Sequence, residues 1–139
     1  MVNRSLALPD LDSFAAELAG RLQPGMALLL EGPLGAGKTT LSRAVIQSLT
    51  GEEVEVQSPT FPLCLTYDAP KATIWHYDLY RLQPGADLEA LGWYEARDKG
   101  IAIVEWPDRA ARIDPPYMRL TIAFGTGETD RVVTIEERV

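Results

Sequence analysis

Residues 32–39 read GPLGAGKT, so Gly32, Gly37, Lys38 and Thr39 satisfy the spacing G-x-x-x-x-G-K-[ST]. Each position answers to a physical need. Glycines let the backbone turn tightly and approach an anion with no Cβ in the way. The amides of residues 35–39, from Gly35 and Ala36 onward, then form a concave nest of donors. A helix beginning near Lys38 adds its partially positive end. The Lys38 ammonium reaches β- and γ-phosphates, the Thr39 hydroxyl suits Mg²⁺, and Thr40 can donate to an α-phosphate. A plain capping loop would not place a cation at the positive end of a helix, where it is disfavoured without an anion. The expected ligand is a nucleoside triphosphate with Mg²⁺. ATP is favoured over GTP, because the chain has no D-x-x-G and no N/T-K-x-D to read guanine.

Phosphoryl transfer on such a loop needs an acid at the end of a neighbouring strand, to hold Mg²⁺ or orient water. The apolar run IAIV ends in Glu105, and a carboxylate there is costly unless it faces a site. Glu105 is the expected metal acid. Asp78 closes the run TIWHYD and is the second candidate, against a surface carboxylate paired with Arg81. His76 shares a strand face with Asp78 and reads as a packed or hydrogen-bonded histidine rather than a catalytic one. Thr60 follows a polar loop and could serve as a switch hydroxyl sensing a γ-phosphate. Trp75, Trp93 and Trp106 read as core or interface residues rather than nucleotide stackers.

The elements that must position these groups are legible from punctuation and period. Residues 26–30 (MALLL) form a short apolar run between turn residues, which predicts a strand buried on both faces. Leu41, Ala44, Val45 and Leu49 predict a helix after the glycine-rich loop, ending near Thr50 and Gly51. Strand, loop, helix is the order that the phosphate-binding motif requires. Upstream, residues 4–8 predict a strand. Asp10 or Asp12 would cap a helix carrying Leu11, Phe14, Ala15, Leu18 and Leu22. Residues 52–59 read as a polar loop. Strands are expected over 61–67, 73–78 and 101–104, and short helices over 87–91 and 94–98. Residues 117–124 and 131–135 predict a closing hairpin. The sum is an α/β, three-layer sandwich of the P-loop NTPase type, with a central sheet parallel in its middle and antiparallel at its edges.

At 139 residues, with 46% hydrophobic residues, the expectation is a single domain over 1–139. A net charge of −7 argues against gripping a nucleic-acid backbone unaided, so any contact with RNA would be indirect and DNA binding is not expected. Cys64 is the one cysteine, which excludes an internal disulfide, and it reads as a buried small hydrophobe. No run approaches membrane-spanning length and no signal peptide is evident, so the expected location is cytoplasmic.

Taken together, GPLGAGKTT (32–40), SPTF (58–61), HYDLYRL (76–82), DLEALG (87–92) and IVEWPDR (103–109) resemble the TsaE family. This is the small ATPase subunit of bacterial tRNA N6-threonylcarbamoyladenosine (t6A) formation. The resemblance covers about residues 5–135, and HYDLYRL and VEWP are more specific than the phosphate loop. It implies weak Mg²⁺-dependent ATPase activity and a role resetting TsaD and TsaB, which modify adenosine 37 of tRNA. It also implies metal roles for Thr39 and Glu105, a switch role for Thr60, and an acid near the γ-phosphate in Asp78. Nucleotide contacts from Asp10 and Arg131 follow from the same match. Pro33 departs from the family, where Asp is frequent, and removes an amide early in the loop. A non-enzymatic ATP-gated binding module and a small-molecule kinase are the alternatives. The kinase would need an acceptor pocket and a lid for which the chain has little room.

Overall fold

Apolar runs and alternation build the sheet. The computed structural model describes residues 2–51, 56 and 63–139. The expected switch hydroxyl, Thr60, lies outside the described residues, as does the polar loop of 52–59 apart from Val56. Strand β2 (Ala27–Glu31) buries residues 27–30 completely. Leu28 and Leu30 face one apolar cluster, and Ala27 and Leu29 face the other. That two-sided burial is why the run shows no polar alternation. Strand β5 (Ile101–Glu105) repeats the pattern, with Ile101 and Ile103 on the first face and Ala102 and Val104 on the second.

The remaining strands are β1 (Val2–Ala7), β3 (Cys64–Asp68), β4 (Thr73–Asp78), β6 (Tyr117–Phe124) and β7 (Asp130–Arg138). They form one sheet in the order β1-β7-β6-β2-β5-β4-β3. β2 pairs parallel with β5 and β6, and β5 pairs parallel with β4. The outer pairs β1–β7, β6–β7 and β3–β4 are antiparallel. Helices α1 (Leu11–Arg21) and α2 (Lys38–Thr50) pack on one face. The other face carries the short α3 (Trp93–Asp98) and a 3-10 turn, Glu89–Leu91. The expected three layers and the mixed sheet are therefore present.

Local differences from the sequence reading have simple causes. Asp10 takes the N-cap position of α1 without a side-chain capping bond. Its φ of −93° and ψ of 4° lie outside the extended region that aims a cap at the first amides. Cys64 is half-buried rather than buried, because β3 is an edge strand. Residues 87–91 supply only that single 3-10 turn, closed by Gly92 at φ 76°. Among the described residues, no helix is long and apolar enough to cross a membrane.

Candidate phosphate-binding site

The site lies at the carboxyl end of the parallel strands, where α/β sheets of this type collect their ligands. The chain leaves β2 through Gly32, whose φ is 155°. A Cβ on Gly32 would lie 2.5 Å from the Ile122 carbonyl oxygen, so the neighbouring strand itself demands glycine. The Ala36 amide donates to the Pro33 carbonyl at 3.2 Å and closes the turn. Pro33 thus contributes its acceptor, and its missing amide is not called on there. Gly37, at φ 110°, is the N-cap of α2, and Lys38 and Thr39 open the helix.

Parallel register brings the acids to this loop. Asp78 pairs with Glu105, and Glu105 with Leu30, in one row across three strands. Odd residues of β5 and even residues of β4 share the α2 face, since Ile101, Ile103 and Ile74 belong to the cluster beneath it. Glu105 therefore points under the start of α2. It is 1% exposed, and its Oε1 accepts the Thr39 hydroxyl at 2.7 Å. His76, fully buried, places Nε2 2.7 Å from the other oxygen, Oε2. His76 is thus the hydrogen-bonded histidine its sequence position suggested, with Glu105 as partner.

Lys38 is 5% exposed. Its Nζ donates to the Gly32 carbonyl and, at 2.9 Å, to the Pro33 carbonyl. It also sits 4.1 Å from the centre of the Trp106 ring. Burial lowers the Lys38 pKa, opposed by the charges of Glu105, Asp78 and Asp108. Asp78 accepts the Tyr80 amide at 3.1 Å. Burial raises its pKa, with the Tyr80 amide acting against that shift. Trp106 follows β5 in a left-handed turn, φ 60° and ψ 52°, and its ring leans on Tyr80 with centroids 4.8 Å apart.

Gly35, Gly37, Lys38, Thr39, Thr40, Asp78 and Glu105 line one open cavity of about 250 Å³. Leu34, Tyr80 and Trp106 complete it; the sequence singles out neither Leu34 nor Tyr80, and Trp106, expected in the core or at an interface, lines the cavity instead. The signal for Trp106 was its place after the strand-terminal acid, but nothing in the sequence gives the direction of its ring. Gly32 and Ala36 stand apart from that lining. Ala36 is buried, and its carbonyl accepts Arg131 Nε at 2.9 Å. Asp10 and Arg131 line a second cavity of about 590 Å³, walled by Phe124 and Val132. A narrow apolar slot bordered by Gly37, Thr40 and Arg131 lies between the two.

The donors fit Mg²⁺. Thr39 and Glu105 offer two hard oxygens side by side, and Mg²⁺ takes one or two protein oxygens while keeping phosphate and water for the rest. Among the described residues there is no cluster of three or more His, Cys, Asp or Glu that would cage a metal with protein alone.

Sheet order, loop and strand-terminal acid define a protein of the P-loop NTPase-like α/β class. A solved structure agrees: YdiB from Bacillus subtilis aligns with a TM-score of 0.75 over 98% of this chain and 84% of its own, at 24% identity, a likeness of fold. The model of the family described as threonylcarbamoyl adenosine biosynthesis protein TsaE matches residues 7–133, and the chain belongs to that family. Similar proteins named tRNA threonylcarbamoyladenosine biosynthesis protein TsaE occur in Rickettsia conorii, Rickettsia prowazekii and Synechocystis. They are 40%, 35% and 39% identical over 76%, 79% and 76% of this chain. The matched stretch covers 61%, 77% and 71% of those relatives, and 62% of the one from Rickettsia felis.

Proposed function

We propose that this protein binds Mg²⁺-ATP at the loop of residues 32–39, hydrolyses it slowly alone, and supports t6A formation at adenosine 37 of tRNA. In this reading ATP binding and hydrolysis reset a complex of TsaD- and TsaB-type proteins between turnovers. The single observation that carries it is the Thr39–Glu105 contact at the mouth of the loop, 2.7 Å long and beside Lys38. Family membership supplies the pathway.

The residues take distinct parts. Lys38 and the start of α2 hold the phosphates. Thr39 and Glu105 would hold Mg²⁺, which when bound neutralises charge building on the phosphate oxygens. Asp78, at the end of the next strand, accepts a proton from the attacking water or orients it. Its raised pKa leaves it a better proton acceptor than an ordinary carboxylate. The larger cavity beside Asp10 and Arg131 takes the nucleoside, with Phe124 offering a ring face. Arg131 acts on the phosphates indirectly, by fixing the Ala36 carbonyl.

Single-turnover hydrolysis, with and without TsaD- and TsaB-type proteins, tests this. Wild-type turnover should rise on adding the partners, and Glu105→Ala should bind ATP yet lose Mg²⁺-dependent turnover. Wild-type turnover in Glu105→Ala would remove Glu105 from the site, and turnover indifferent to partners would favour a binding module instead.

A further inference from the structure

Both oxygens of Glu105 are engaged, one by the helix above and one by the neighbouring strand on the same face of the sheet. Thr39 on α2 donates to Oε1, and His76 on β4 meets Oε2. His76 and Glu105 are 0% and 2% exposed at their side chains, so neither leans on bulk solvent. A carboxylate only accepts, which makes Nε2 the donor. Nδ1 is also buried and has no hydrogen-bond partner among the described residues. An N–H at that atom would be a buried donor left without an acceptor, at the full cost of its lost hydration. The Nε2–H tautomer is the one that fits, with Nδ1 a bare lone pair.

Packing alone does not explain a polar ring there. His76 stands in register with Ile103 on one side and Leu65 on the other, within an apolar layer. An aliphatic side chain would fill that space without leaving a buried nitrogen unpaired. What the imidazole adds is a bond to the far oxygen of the carboxylate. Without it, Oε2 would be buried with no donor, and the carboxylate would be free to rotate about its last torsion.

We infer that His76 is a positioning residue for Mg²⁺: it fixes the plane of the Glu105 carboxylate so that Oε1 is presented beside the Thr39 hydroxyl. It does not touch the nucleotide. The inference rests on the Mg²⁺-ATP reading above. Groups behind a metal ligand set its orientation and basicity, and their loss weakens metal binding about 10–100-fold.

Two variants and two titrations test it. ATP affinity is measured by calorimetry in EDTA, and then the Mg²⁺ concentration that half-maximally tightens ATP binding is measured. His76→Leu should leave the first unchanged and raise the second about tenfold or more, whereas His76→Gln, whose amide can donate to the same oxygen, should stay within about threefold of wild type. A wild-type Mg²⁺ requirement in His76→Leu overturns the role. So does an equal loss in both variants, or loss of Mg²⁺-free ATP affinity along with it, since those mark packing alone. Wild-type protein that binds no ATP in either condition sinks the nucleotide reading instead. Should neither variant fold, imidazole ¹⁵N shifts of the wild type decide: a protonated Nε2 with bare Nδ1 supports the dyad, and a bare Nε2 overturns it.

Discussion

Lys38 is satisfied by its own loop, through two carbonyls and the face of Trp106. A phosphate that draws this ammonium must out-compete all three. The charge-assisted bonds it then makes are worth about 1.5–3 kcal/mol, so Lys38→Ala should weaken ATP binding roughly 10–100-fold. Calorimetry on folded protein checks this, and an unchanged affinity would count against the site. Asp78 makes the opposite kind of prediction. Burial raises its pKa, so the folded chain holds this proton more tightly than the unfolded chain. That contribution to stability is full below the ordinary carboxylate pKa and is lost as pH rises through the higher folded value. Asp78→Asn never ionises. Its melting temperature should match wild type in acid and exceed it by about 1–3 °C at pH 7, allowing for solvent screening of a half-exposed group. Turnover should fall in the same variant. Melting curves at two pH values and one hydrolysis assay decide both halves.

Between elements, the exit of β2 is the tightest constraint. Gly32→Ala would drive a methyl into the Ile122 carbonyl of β6 at a backbone angle that side chains avoid. The expected result is a loss of about 2 kcal/mol or more in stability, read from urea unfolding, with ATP affinity falling alongside. A neutral Gly32→Ala would mean that the β2–β6 spacing is slack. This glycine was legible in the sequence, as were β2, α2 and β5, because short apolar runs bounded by turn residues leave few alternatives. The acid at the end of β5 was legible for the same reason: IAIV followed by Glu105 puts a charge where burial forbids one without a partner. The partner was not legible. That His76 and Thr39 grip opposite oxygens depends on the register between β4 and β5 and on the height of α2 above them, which no local pattern encodes. Tyr80 and Leu34 were missed similarly, since an exposed aromatic or leucine in a turn has no signature until the facing loop is in place. The larger cavity, likewise, forms between the end of β1 with Asp10 and the β6–β7 turn, segments that meet only once the sheet is assembled.

At the scale of the whole molecule, charge and topology divide the labour. The strand ends that carry Glu105, Asp78 and Phe124, and the start of β7 with Arg131, all gather at one rim of the sheet. The net charge of −7 opposes gripping an RNA backbone unaided. Isolated protein should therefore give no tRNA shift in a native gel near physiological salt, while a complex with TsaD- and TsaB-type proteins should. A salt-sensitive shift by the protein alone would contradict indirect contact with tRNA. One feature of this rim also limits how the chain can vary. Trp106 holds a left-handed backbone that costs a side-chain-bearing residue about 1–2 kcal/mol. Glycine would relieve that cost but discard the indole, and any other aromatic would keep the ring and inherit the cost. No single replacement improves both the turn and the surface it presents to Lys38, so thermal hardening and an intact lysine cradle pull in opposite directions at this position.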